Sequence, residues 1–384
     1  MTGSSRVTFA ALLLSVAVIM AGNGLQGGLL LVRASLEDFS PAGIALVSSG
    51  YFMGFIAGCL TAPALIRKLG PVGSVAVFAT AAAAAAFGHE LIVEPLAWGG
   101  LRLVTGFCFS GFYMVVESWI NAAVGNATRG RTLALYRAVD LGATTLGQFL
   151  LPLADARGPI LFALVATLIL LSQVPIALAP RPDRAAEVEA ARLDLRRLYR
   201  TSPLALWGAA AMGMSSAGFW SLAPVFVERD GHGSAGVALF IACGILGGAA
   251  FQWPLGWLSD RRDRRWVMIG AALLAGASAA ASALAPADDL SLRAGLAGLF
   301  GGFSFPIYAL AAAHANDRAG PGEFVAVSGG LLLVFAVGGT VGPILAALAV
   351  DGMGRVGLFG FSAVVYGLLA LHAGRRMTVR PTDR

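Results

Sequence analysis

Four ionisable residues interrupt stretches of this chain that are otherwise uncharged: Arg102 and Glu117 in one, Arg137 and Asp140 in the next. A charge held in the middle of a bilayer costs at least ~2.5–3.5 kcal/mol, so each needs a partner or a wet cavity. A carboxyl in low dielectric resists ionisation, and a nearby arginine reverses that resistance. Glu117 or Asp140, with Arg137 as a partner that comes and goes, is therefore a candidate proton carrier. The same residues also suit a static salt bridge between neighbouring helices, with Asp140 one turn beyond Arg137 on the same face. Arg102 lies roughly 22 Å from Glu117 along a helix. It can hold an anionic substrate group, relay protons, or reach for the outer interface.

Other chemistries lack their residues. Cys59, Cys108 and Cys243 sit in apolar runs, with no spacing for a disulfide or a metal. His89, His232, His314 and His372 are isolated and read as interface or loop residues. No Gly-x4-Gly-Lys-Ser/Thr loop occurs, so ATP is not the expected energy source. No nucleophile cluster occurs within a span, so an enzyme is not expected, nor a cofactor, a metal or a nucleic-acid partner.

The elements that must position the four charges follow from composition. Hydrophobic residues make up 57% of the 384 and charged ones 12%, about half the share that a water-facing surface requires. Runs of about 20 apolar residues cross a bilayer. They fall near 7–32, 41–66, 71–88, 95–123, 131–154 and 158–179, then near 203–227, 234–259, 266–287, 290–314, 323–350 and 355–373. The expected fold is all-α, with twelve transmembrane helices in two pseudo-symmetric six-helix halves. The expected domains are 1–180, a linker over 181–202 with a polar helix on the membrane surface, and 203–384. Placing both termini in the cytoplasm puts 20 Arg/Lys on that side and leaves Arg33, Arg157, Arg229 and Arg355 in the opposite loops, a strong positive-inside bias. The expected location is the bacterial inner membrane, as a monomer in the lipid bilayer.

The halves repeat. Ala42-Gly43-Ile44-Ala45-Leu46 returns 193 residues later as Ala235-Gly236-Val237-Ala238-Leu239. An offset of 191 pairs Arg102 with Arg293, Gly111 with Gly302, Gly147 with Gly338 and Pro152 with Pro343. Two six-helix halves related by a parallel repeat is a transporter arrangement.

Gly256-Trp257-Leu258-Ser259-Asp260-Arg261-Arg262-Asp263-Arg264-Arg265 resembles the loop signature of the major facilitator superfamily, with Asp263 in place of its second glycine. Leu101-Arg102 with Gly106 is similar to that family's fourth-helix arginine motif. Val116-Glu117-Ser118-Trp119-Ile120-Asn121, Arg129-Gly130-Arg131 and Tyr136 resemble its YcaD-like branch. The resemblance implies a cavity lined by spans one, four, seven and ten. Its candidates here are Asn23, Gln26, Tyr113, Asn121, Ser215, Ser216, Trp220, Ser304 and Tyr308. It also implies a cytoplasmic gate, with Asp260 docking near Arg129 and Arg131. The first-half loop inverts that acid: Arg67 stands where Asp260 stands, and an offset of 192 sets Glu323 against Arg131. Arg67 with Glu323 is thus a second, sign-reversed gate pair.

The expected function is secondary active transport by alternating access of a small, amphiphilic organic substrate. Proton coupling is expected, and an exporting antiporter is favoured. The alternative is a non-transporting protein of the same fold that assembles or regulates other membrane proteins.

Overall fold

The computed structural model describes residues 3–123, 129–179, 195–318 and 324–379. These form helices α1 (Gly3–Leu36), α2 (Pro41–Leu91), α3 (Pro95–Ala123), α4 (Arg129–Gln148), α5 (Pro159–Leu171) and α6 (Gln173–Leu178), with a 3-10 turn over Leu151–Leu153. After α7 (Leu195–Thr201) come α8 (Pro203–Val227), a π-helical segment Glu228–His232, α9 (Gly233–Arg261), α10 (Arg264–Leu284), α11 (Leu290–Asn316) and α12 (Phe324–Val379). No strand occurs among the described residues.

Helix starts follow local chemistry. Proline opens α2, α3, α5 and α8, where its missing N–H costs nothing. Ser40 and Glu94 accept hydrogen bonds from the first-turn N–H groups of Gly43 and Ala97, and Asp263 and Asp289 do the same for α10 and α11.

Eight continuous runs are long and apolar enough to cross a membrane. Three of them are double passes: Pro41–Leu91 breaks at Gly70 (φ 71°), Gly329–Met377 at Gly354 (φ 56°), and Pro203–Arg261 at the π segment, where Gly231 has φ 91°. These left-handed conformations suit glycine. Helix α4, whose charged residues lower its hydropathy, is 20 residues long, enough for about 30 Å. It supplies the twelfth pass among the described residues.

The chain divides into two compact units, Met1–Glu37 with Gly50–Ala190, and Asp38–Ser49 with Ala191–Arg384. In the first, α1 and α4 lie so close that a methyl group at Gly24 would overlap the backbone of Thr144, and one at Gly147 that of Ala21. The crossing of α2 and α3 is equally tight, with Gly54 over Leu103 and Gly106 over Tyr51. Small residues let backbones approach where lipid offers no hydrophobic drive between helices.

The second unit repeats both crossings. Gly213 lies over Phe335 and Gly338 over Ala210 where α8 meets α12, and Gly247 lies over Gly298 and Gly301 over Gly244 where α9 meets α11. Matching crossing to crossing relates α1 to α8 by 189 residues, α2 to α9 by 193, α3 to α11 by 195 and α4 to α12 by 191. The offset of 191 therefore holds for Gly147 and Gly338, but it puts Arg102 and Gly111 about one turn out of place. The counterpart of Arg102 is Ala297, not Arg293. Helix packing preserves glycine contacts, while insertions in the loops shift one helix against the next.

Candidate functional site

The first unit gathers its polar groups along α2, α3 and α4. Arg102 lies two turns into α3, its guanidinium 4.3 Å from the centre of the Tyr51 ring on α2, in reach of a cation–π attraction. Among the described residues Arg102 has no carboxylate partner, and its Nη1 is buried without a hydrogen bond. Aromatic rings continue from there: Tyr51 to Phe55, one turn on, at 6.3 Å, and Phe55 to Tyr113 at 6.4 Å. All of these side chains are half-buried. The Tyr113 hydroxyl donates to Asp140 Oδ1 at 3.3 Å and touches Met20 Sδ at 3.1 Å. Asp140 is 8% exposed, so a buried acid stands at one end of an aromatic strip and a base at the other. Arg102 and Tyr113 are roughly 16 Å apart along α3.

Neighbouring polar groups tie the helices together. Gln148 Nε2 donates to the Gly24 carbonyl at 2.6 Å, beside the α1–α4 crossing. Gln26 is fully buried with neither amide atom hydrogen-bonded, and Asn23 is half-buried. His89, read from sequence as an interface or loop residue, is instead fully buried inside α2, its Nδ1 2.6 Å from the Ala85 carbonyl and its ring edge-on to Trp98. Arg33 closes the end of α1, bonding Glu37 at 2.7 Å, Glu90 at 3.3 Å and the carbonyls of Ala156 and Arg157.

The second unit treats the same positions differently. By the crossing register Gly244 answers Tyr51, Ala297 answers Arg102, Leu331 answers Asp140, and only Tyr308 keeps the ring of Tyr113. The Trp220 ring from α8 lies against Gly244, leaving no room there for a side chain, and packs on Phe219 and Phe305. Tyr308 packs edge-on to Phe335. Ser216, Ser304 and Tyr366 form a buried chain of hydroxyls joining α8, α11 and α12, with Ser216 Oγ 3.0 Å from Ser304 Oγ. Ser215 is buried beside them. Arg293 is 4% exposed and bonds Asp230 Oδ2 at 2.5 Å and the Ala287 carbonyl at 3.2 Å. Arg355 approaches the same carboxylate at 3.7 Å.

At the expected gate, Asp260 pairs with Arg264 in its own loop at 3.0 Å, and Arg264 reaches Asp317 at 2.7 Å. Asp263, standing for the signature glycine, has φ −57° and caps α10 through the Arg265 N–H. Its counterpart Gly70 takes the left-handed turn instead. Burial alone would raise the Asp263 pKa, but hydrogen bonds and charge from Arg265 outweigh it and hold the carboxyl below its usual range. Arg67 is exposed. The side chains of Glu117, Asn121, Arg129, Arg131, Arg137 and Glu323 lie outside the described residues, as does most of the linker over 181–202.

Sequence reasoning missed Tyr51 and Phe55, because it looked for cavity residues only on spans one, four, seven and ten. The available signal was two aromatics four residues apart, on one helical face.

The Major Facilitator Superfamily profile matches residues 12–288. An uncharacterized MFS-type transporter of Enterobacter sp. (strain 638) is 26% identical over 348 residues, covering 88% of each chain. The uncharacterized MFS-type transporter YcaD of Salmonella arizonae is 26% identical over 329 residues, covering 83% of this chain and 81% of that one. The solved structure of the nucleoside transporter NupG matches with a TM-score of 0.80 at 14% identity, over 99% of this chain and 100% of its own. With twelve helical passes in two repeated sets and a profile match over most of its length, the chain belongs to the Major Facilitator Superfamily.

Proposed function

We propose that the protein is a proton-coupled secondary transporter in the bacterial inner membrane, moving a small amphiphilic organic molecule by alternating access, with export as the direction. The observation that carries this reading is the separation of an acid and a base within the first unit. Asp140 is buried beside Tyr113, and Arg102, without a carboxylate among the described residues, stands at the far end of the aromatic strip. A buried carboxyl that gains and loses a partner during a cycle carries a proton. A cation without a counter-charge awaits an anionic group. Glu117 and Arg137 are proposed as the other members of the proton relay, and Asn23, Gln26, Asn121, Trp220 and Tyr308 as further substrate contacts.

The termini face the cytoplasm in this reading, where Asp260 with Arg129 and Arg131, and Arg67 with Glu323, close the gate. The protein acts as a monomer. Purified protein in proteoliposomes tests the reading: an imposed pH gradient drives substrate flux, and Asp140→Asn or Glu117→Gln loses driven flux while retaining exchange. Full pH dependence in both variants would refute the relay. Absence of any flux across a broad panel would favour a non-transporting assembly role.

A further inference from the structure

Within that transport reading, we propose that Arg102, Tyr51 and Phe55 form the recognition site for an aromatic monocarboxylate. Three features of the geometry select that class. One face of the Arg102 guanidinium is covered by the Tyr51 ring at 4.3 Å, so its hydrogen-bonding edge is what remains to offer. A planar, two-pronged acceptor fits that edge, and carboxylate is the acceptor of that shape. Arg102 Nη1 is buried with no partner, and an unmet buried donor is costly. Binding an anion there removes the cost.

The strip beside the guanidinium is aromatic. Tyr51 lies 5.6 Å from Phe52, and 6.3 Å from both Phe55 and the buried Phe109, which holds it from behind. Ring edges and tilted faces at this spacing, from edge-on Phe52 to tilted Phe55 and Phe109, favour a planar aromatic ring, which packs edge-to-face or offset against them, over a puckered one of equal size. Charge then limits the ligand to one anionic group. Among the described residues of the strip Arg102 is the one cation, and the far end carries the acid Asp140 rather than a second base. Arg293, on α11 of the second unit, is already held by Asp230 and serves as the control.

Binding to the full-length protein in nanodiscs by titration calorimetry tests this, with 2-naphthoate as the probe. Cyclohexanecarboxylate keeps the charge without the flat ring, 2-naphthylmethanol keeps the ring without the charge, and naphthalene-2,6-dicarboxylate adds a second charge. The expected result is 2-naphthoate binding at least tenfold more tightly than each of these. Arg102→Lys should weaken it at least tenfold, Tyr51→Leu should erase its advantage over cyclohexanecarboxylate, and Arg293→Lys should leave affinity unchanged. If Arg102→Lys does not fold, the Tyr51→Leu comparison and the wild-type ligand series still decide. No naphthoate binding, equal affinity for the aliphatic acid, or an unchanged Arg102→Lys overturns the proposal. Proton-driven flux of other solutes without naphthoate binding sinks this site and spares the transport reading. Naphthoate binding with no flux of any solute supports the site and sinks transport.

Discussion

Where α2 crosses α3, the first unit lays Arg102 over Tyr51; where α9 crosses α11, the second has Gly244 and Ala297, with Trp220 filling the space. The backbone contacts at the two crossings match glycine for glycine, yet the chemistry does not. In one unit a cation has no acid beside it among the described residues, and a buried acid is linked to a tyrosine. In the other, the nearest arginine is locked to Asp230 and the matching positions are apolar. A repeated fold fixes how closely helices pack, and it leaves each copy free to specialise its side chains. At these matched positions the first unit places charged and aromatic side chains, and the second places small or apolar ones.

The sharpest test of the shared backbone is to crowd it. Gly106→Val and Gly301→Val each force a branched side chain against a carbonyl of the neighbouring helix. Each should destabilise the purified protein by about 3 kcal/mol, the upper end for overpacking, with similar falls in Tm. A large fall in only one would break the register. The two arginines should then separate by phenotype. Arg293→Ala strips Asp230 of its shortest bond and should cost about 2 kcal/mol of stability. Arg102→Ala should leave Tm nearly unchanged and abolish binding. Exchange of these phenotypes would invert the comparison.

Flux comes next in size. Asp140→Asn should lower pH-driven flux about tenfold, which is 1.4 kcal/mol, whereas Leu331→Asn at the matching place should act only through stability. At the loops, Arg67→Glu or Glu323→Arg should shift the resting population about fivefold toward the cytoplasm-open state, read by cysteine accessibility, as expected for a hydrated ion pair. The double exchange should restore the wild-type value. The smallest effect concerns pH. Asp263 has a depressed folded pKa, so its contribution is full above the unfolded value of about 3.9 and fades as pH falls through the lower folded value. Asp263→Ser keeps a cap and should remove that acid-sensitive part of the stability curve, measured by thermal unfolding between about pH 5 and 2. Gly70 has no equivalent group to lose.

Much of this was legible in the residues. Run length and turn residues located the twelve passes, including α4, whose stretch between the loops is long enough to cross despite the charges that lower its hydropathy. The loop around Asp260 pointed to the family. The repeat register was misread by a turn in α3, because identical residue types were matched: Arg102 with Arg293, Gly111 with Gly302. The constraint that survives in the fold is a glycine facing a carbonyl, and that is visible only when both helices are in place. Asp230 looked like a loop residue, and nothing in its sequence neighbourhood announced the two arginines it gathers from α11 and α12. Tyr51 and Phe55 looked like ordinary span residues until Arg102 was found against one of them.

The four different helix offsets also record how the two copies drifted apart. From α1–α2 to α8–α9 the connection lengthens by four residues, since 189 becomes 193. The longer connection holds the π segment Glu228–His232, and with it Asp230. Four residues are about one helical turn, an increment that lengthens a helix end while changing little which faces look inward. Duplication followed by an insertion of that size lets a copy acquire a new end without repacking its middle. Asp230 belongs to that longer connection, while Arg293 sits on α11 about one turn before Ala297, the residue that answers Arg102, so the two arginines hold different places in the repeat, however alike the letters look. Aligning the halves letter by letter would merge two arginines that the helix crossings keep a turn apart.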